Sequence, residues 1–375
     1  MEGEIIMNKE KIELYINDFY KNLDKVRLNI WNYEDGCILL AAMELFKATK
    51  NNVFKEFVIE YVSNYVLEDG TIKYYTFDEF NLDNIAPGRA LLFAYDETGE
   101  ERFFKAAKLL MEQLKVHPRT KEGNFWHKKI YPNQVWLDGL FMAQPFYMEY
   151  VTKYEKKEGY QDIISQFKNV HKNMFQIEKE LYYHGYDESR SVFWADKESG
   201  CSKNYWLRAI GWFQMGLIET MDVMSKAMYE HYTDLEKIFK ESLKGILKYQ
   251  DPVNKLFYQV VDEPMEKGNY IETSGSAMLA ASILKACRMR IILPEKYWCI
   301  GEEILNNIIE QKLVQVDGKM VLKDICKVAG LGPEDNTRRN GSVEYYFSEP
   351  IIADDLKGVA ALFMAYAEYV IGCNY

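Results

Sequence analysis

Apolar positions in this chain recur mostly three and four residues apart, the period of a helix lying on a core. Six segments share one design, in which a glycine opens a stretch of small and apolar residues: Gly36-CILLAAMELF, Gly88-RALLFAY, Gly139-LFMAQPFYMEY, Gly211-WFQMGLIETM, Gly275-SAMLAASILKA and Gly358-VAALFMAYAEY. Being apolar on most faces, they predict helices buried nearly all round. Ahead of each runs a more charged, amphipathic stretch, over residues 11–25, 54–66, 101–116, 161–176, 234–249 and 299–312. These predict outer helices. Strand-like alternation is confined to short pieces such as 313–322, where Asp317-Gly318 suits a hairpin turn.

Successive glycines of the set lie 52, 51, 72, 64 and 83 residues apart, a loose helical-hairpin repeat. Inner members that look buried on every side favour a closed ring over an open solenoid. The expected fold is therefore all-α, an (α/α)6 barrel or six-hairpin toroid, with residues 1–375 as one domain because no linker or composition shift divides them. In such a ring the loops entering the inner helices share one mouth. Six helix N-termini there favour a negatively charged ligand.

The net charge of −11 repels nucleic acid and anionic membrane surfaces. Aromatic residues make up 15% of the chain, enough for a surface that stacks on sugars or for a Tyr-rich core. Six cysteines occur without a CxxC pair, which predicts reduced thiols and neither a zinc site nor a disulfide framework. The N-terminus lacks a basic start followed by an apolar run, and no apolar stretch approaches the roughly 20 residues that span a bilayer. The expectation is a cytoplasmic protein, a monomer or weak homo-oligomer, with no nucleic-acid or membrane partner.

Candidate chemistry clusters in the loops entering the inner helices. Asp138, between Trp136 and Gly139, would sit in partly apolar surroundings, which favour the protonated carboxyl that a general acid needs; it reads equally well as a helix N-cap. Asp83 holds the matching place one repeat earlier, as a converging second carboxyl or as a turn residue. His184, Arg208, His127 and Lys128 offer positive charge for an anionic sugar, and Trp206 and Trp212 flank Arg208 as stacking or core residues. No P-loop, dinucleotide-binding glycine fingerprint, HExxH or GxSxG is present, and no metal or organic cofactor is implied. Thr273-Ser274-Gly275-Ser276 reads better as a helix cap than as a nucleophile.

The blocks NLDNIAPGRALL, VWLDGLFMAQPFYMEY, LYYHGYDES, YWLRAIGW, IETSGSAMLAASI and GSVEYYFSEPIIADDLKGVAAL, running from about Leu82 to Leu362, resemble the unsaturated rhamnogalacturonyl hydrolases of glycoside hydrolase family 105. The resemblance implies a six-hairpin barrel acting on a disaccharide whose uronic acid carries a C4=C5 double bond. It implies that Asp138 protonates C4 and then activates water, and that Asp83 holds sugar hydroxyls. It further implies that His184, Arg208 and Trp212 shape the uronate subsite, that Trp136 and Trp206 wall the sugar, and that Tyr33, His127 and Lys128 are weaker candidates. Ala209-Ile210 departs from the Gly-Asn of many relatives.

Two other readings compete. The related unsaturated glucuronyl hydrolases share the double bond and both aspartates but act on glycosaminoglycan fragments, and a non-catalytic sugar-binding protein would tolerate loss of Asp138. A barrel epimerase needs paired catalytic histidines, and none of the five histidines is paired in a motif.

Overall fold

The computed structural model describes residues 8–24 and 30–373. Its helices are α1 Lys9–Asn22, α2 Tyr33–Thr49, α3 Asn52–Tyr65, α4 Gly88–Thr98, α5 Glu101–Val116, α6 Leu137–Tyr154, α7 Tyr160–Met174, α8 Leu207–Val223, α9 Tyr229–Ile246, α10 Thr273–Arg288, α11 Pro294–Gln311, α12 Val343–Phe347 and α13 Leu356–Cys373. The glycine-opened segments form α2, α4, α6, α8, α10 and α13. Each packs on the next, and α13 packs on α2, so the ring closes into the six-hairpin barrel expected from the repeat.

Burial separates the two helix types as the hydrophobic pattern requires. Every residue of α10 from Thr273 to Cys287 is buried, whereas α5 buries one stripe, Phe103, Ala106, Ala107, Leu110, Met111 and Leu114, at helical spacing. The opening glycines allow close approach. A Cβ on Gly36 would stand 2.7 Å from the Ala86 carbonyl carbon, and one on Gly275 would stand 2.5 Å from Leu207 Cγ. The first outer helix ends at Asn22, short of the expected residue 25, which lies outside the described residues together with the N-terminal start, 1–7. Helix α13 is long and apolar enough to cross a membrane, contrary to expectation, but 72% of it is buried inside the barrel.

The 313–322 hairpin forms as read: Leu313–Val316 pairs antiparallel with Lys319–Leu322. Asp317 (φ 48°) and Gly318 (φ 80°) are both left-handed, as a two-residue hairpin turn demands. Two further short ladders, invisible to the hydrophobic pattern, hold the loops at the mouth. Gln134–Trp136 pairs with Gly185–Asp187, and Ile325–Cys326 pairs with Ile351–Ile352.

At the opposite end, the late turns of α2, α6, α8 and α10 carry a buried ionic network, which Arg89 reaches from the first turn of α4. Lys285 Nζ lies 2.6 Å from Glu219, 3.1 Å from Asp222 and 3.3 Å from Glu44. Arg89 joins Glu149 and Glu219 at 2.8 and 2.7 Å. Buried charges persist only when paired in this way.

Candidate active site

Side chains from the N-terminal ends of the inner helices converge on a cleft with about 480 Å³ of open space. Asp138 is the second residue of α6 and is 8% exposed. Its Oδ2 has no hydrogen-bond partner among the described residues, and the residue at the cap position is Trp136. The side chain therefore faces the cleft and does not cap the helix.

His184 is brought beside it by the Gln134–Trp136 ladder, which pairs Trp136 with Gly185, and by the Leu137 N–H donating to the His184 carbonyl at 3.1 Å. His184 Nε2 stands 3.3 Å from Asp138 Oδ2, and Nδ1 lies 2.9 Å from the Tyr346 hydroxyl. The ring is fully buried, packed between Trp136 and Trp206, so it does not line the cleft, contrary to the uronate-subsite place the resemblance implies, and meets it only beside Asp138.

Asp83 occupies a single 3-10 turn, Leu82–Asn84, whose cap Asn81 accepts from the Asp83 N–H at 3.0 Å. The 127–128 strip runs alongside it: the Leu82 N–H donates to the His127 carbonyl at 3.2 Å. Lys128 Nζ is 2.6 Å from Asp83 Oδ2, and His127 Nε2 is 3.6 Å from Oδ1. Burial works to raise the Asp83 carboxyl, but Lys128, His127 and Lys357 together outweigh it and hold the group below the usual carboxylate range. Burial pushes His127 down to about 4, so this ring is neutral near pH 7.

Arg208, second in α8, is buried. It donates to the Ser274 hydroxyl at 3.1 Å and to the Cys326 carbonyl, and Ser274 in turn donates to Glu272 at 2.6 Å. Glu272 also accepts from the Gly275 N–H at 2.7 Å, so the cap of α10 is Glu272 and not the Thr273–Ser276 stretch expected from the sequence, which forms the first turn of the helix.

The three tryptophans are at once core and wall. Trp136 stacks on His127 with ring centroids 4.4 Å apart, Trp206 stacks on Tyr346 at 5.9 Å, and Trp212 leans on Phe141 at 4.7 Å. All three line the cleft, as does Tyr33 at the first position of α2. Burial pushes the Tyr33 hydroxyl well above its ordinary pKa, keeping it a donor.

The structure adds residues that no motif reading singled out. Tyr131, Arg339 and Lys357 line the cleft, and Tyr346 stands behind it. Lys357 is paired with Glu34 and Asp355, each at 2.8 Å. Tyr346, Arg339 and Lys357 fall in or next to the segment between α11 and α13, where the glycine spacing is longest, 83 residues, and that excess was the available signal. Away from the cleft, Glu44, Glu219 and Asp222 are the described trio whose ligand atoms gather within 4.8 Å, and the Lys285 ammonium already stands among them.

One carboxyl unpaired by any cation other than a histidine, and a second held ionised by a lysine, give a cleft able to transfer a proton at Asp138 and accept hydroxyls at Asp83. Comparison with known proteins agrees with that equipment. Residues 8–371 match Glycosyl Hydrolase Family 88. A family 105 glycoside hydrolase from C. acetobutylicum ATCC 824 superposes with a TM-score of 0.90 at 37% identity, over 97% of this chain and 99% of that one. The unsaturated rhamnogalacturonyl hydrolase YesR of Bacillus subtilis (strain 168) is 23% identical over 76% of this chain and 79% of its own. The unsaturated glucuronyl hydrolase of Bacillus sp. GL1, at 14% identity and a TM-score of 0.62 over 91% of this chain and 86% of its own, shares the fold. The chain therefore belongs to the family 88 and 105 glycoside hydrolases and is a hydrolase of unsaturated uronyl sugars.

Proposed function

We propose that the enzyme hydrates the C4=C5 bond of unsaturated galacturonyl-rhamnose, the disaccharide that lyase cleavage of the pectin rhamnogalacturonan leaves. The observation that carries this reading is Asp138: buried, facing the cleft, and touched by one histidine. Asp138 gives its proton to C4 as the π electrons of the enol ether move, which leaves positive charge shared by C5 and the ring oxygen. The resulting carboxylate takes a proton from water as the oxygen bonds to C5. The hemiketal then opens by breaking the bond from C5 to the ring oxygen. The hemiacetal left at C1 collapses, releasing rhamnose and a 5-keto-4-deoxyuronate.

Asp83, ionised by Lys128, is unsuited to donate the proton and suited to accept from sugar hydroxyls. Trp136, Trp206 and Trp212 supply ring faces, while Tyr33, His127 and Lys128 supply polar contacts along the wall. Support for the rhamnose aglycone comes from the likeness to YesR; unsaturated glucuronyl disaccharides are the second substrate class, favoured by the fold shared with the glucuronyl hydrolase. All six cysteines are free thiols, which supports a cytoplasmic site of action.

The test is loss of the near-ultraviolet absorbance of the conjugated double bond, followed with both disaccharides for the wild type and Asp138→Asn. Conversion by the wild type alone supports the reading. An inert wild type on both substrates removes it, and a fully active Asp138→Asn removes Asp138 as the acid.

A further inference from the structure

We propose that Arg339 is the counter-ion for the carboxylate of the bound sugar and sets the enzyme's preference for an ionised uronate over a neutral ring. This rests on the reading of the cleft as an unsaturated uronyl site. Lys128, Lys357, Arg208, His127 and Arg339 line the cleft. Lys128 is held by Asp83 at 2.6 Å. Lys357 is held by Glu34 and Asp355. Arg208 donates from one Nη to Ser274 and from the other to the Cys326 carbonyl, and its charge is answered by the buried Glu272, which accepts from the same Ser274 hydroxyl. His127 is neutral near pH 7. Among the described residues, Arg339 makes no side-chain hydrogen bond or ion pair, yet it lines the same cleft. A substrate anion entering there meets one guanidinium whose charge the protein has not already matched.

Its position fits that task. A point one Cβ bond from Gly330 lies 3.2 Å from Arg339 Nη1 and 3.3 Å from Trp136 Cζ3. The guanidinium therefore stands on the Trp136 side of the cleft that Asp138 also lines. The carrying loop is fastened on several sides. The Trp194 indole N–H donates to the Gly332 carbonyl at 3.1 Å, Asn204 donates to the Gly341 carbonyl at 2.7 Å, and the Gly330 N–H donates to the Tyr345 hydroxyl at 2.9 Å. Across the loop, the Gly332 N–H donates to the Arg339 carbonyl at 2.8 Å. The neighbouring Arg338 is used in the other direction, on Glu349 at 2.9 Å. The loop backbone is thus held before a ligand arrives, and a planar guanidinium matches a carboxylate with two parallel hydrogen bonds.

The experiment compares unsaturated galacturonyl-rhamnose with its methyl ester in wild type, Arg339→Gln, Arg339→Lys and, as a loop control, Arg338→Gln. Wild type should prefer the acid. Arg339→Gln should lower kcat/KM for the acid about 10- to 100-fold, mainly through KM, and change the ester by less than about threefold, the scale of a charge-assisted hydrogen bond. Arg339→Lys should fall between, and Arg338→Gln should keep the wild-type preference. Equal losses on acid and ester, or an unchanged acid rate in Arg339→Gln, overturn the assignment. If wild type converts neither compound, the functional reading fails. Quenching of the cleft tryptophans by galacturonate then decides the assignment: binding at least tenfold weaker in Arg339→Gln sustains it, and equal binding overturns it.

Discussion

His184 Nε2 stands 3.3 Å from Asp138 Oδ2 while the opposite ring nitrogen meets the Tyr346 hydroxyl at 2.9 Å. Burial raises the Tyr346 pKa well above its ordinary value, so the hydroxyl keeps its proton and can donate to Nδ1. With Tyr346 as the donor, the ring proton sits on Nε2, on the side of the carboxylate.

Tyr346→Phe therefore tests a positioning residue that never touches the sugar. Without the hydroxyl, Nδ1 is free to carry the proton and Nε2 presents a lone pair to Asp138. A lone pair then faces the carboxylate that proton transfer to C4 leaves behind, 3.3 Å away, which slows that step. The expected fall in kcat is about tenfold, with KM nearly unchanged. An unchanged kcat, or a change carried by KM alone, would remove this role for Tyr346.

Asp83 and Lys128 form a buried pair, so single replacements leave an uncompensated charge. Asp83→Asn and Lys128→Met should each destabilise by roughly 1–3 kcal/mol, and the double variant by less than the sum of the two. Thermal or denaturant unfolding of the cycle measures the coupling. Strict additivity would show that the 2.6 Å contact contributes nothing.

Two histidines make stability depend on acid. Burial holds His117 and His127 down to about 4 from 6.5. The unfolded chain binds their protons first as pH falls. Stability is therefore full above pH 6.5, declines between 6.5 and 4, and levels off below about 4. Each shift corresponds to a loss on the order of 3 kcal/mol. His117→Gln, away from the cleft, should flatten the fall in Tm between pH 7 and 4; an unchanged slope counts against the buried neutral ring.

Lys285 answers four carboxylates at the closed end of the barrel, Glu219, Asp222, Glu44 and Glu368. Lys285→Met should cost about 3–5 kcal/mol of stability. The cleft lies at the other end, so kcat per folded molecule should stay within about twofold. Retained Tm, or a lost kcat in fully folded protein, would contradict that division of the barrel.

The repeat of glycine-opened apolar helices was legible because an inner helix packed on every side has no polar face to disguise it. The 313–322 hairpin was legible through Asp317-Gly318, whose left-handed backbone is a local property. Asp83 and Asp138 could be located, at equivalent entries to neighbouring inner helices, but capping and chemistry look alike in one dimension. The Trp136–Gly185 register is what turns Asp138 toward His184.

The sequence by itself determined the alternation of inner and outer helices, because hydrophobic periodicity is written residue by residue. It also determined which helix entries carry carboxyls and tryptophans. Tertiary structure alone decided which charges are already matched. Lys128 and Arg208 look as available as Arg339 along the chain, yet folding spends the first two on Asp83, Ser274 and Cys326 and leaves the third unpaired at the Trp136 wall. Pairing depends on distances of a few ångströms between segments up to hundreds of residues apart, and only the closed ring brings those segments together.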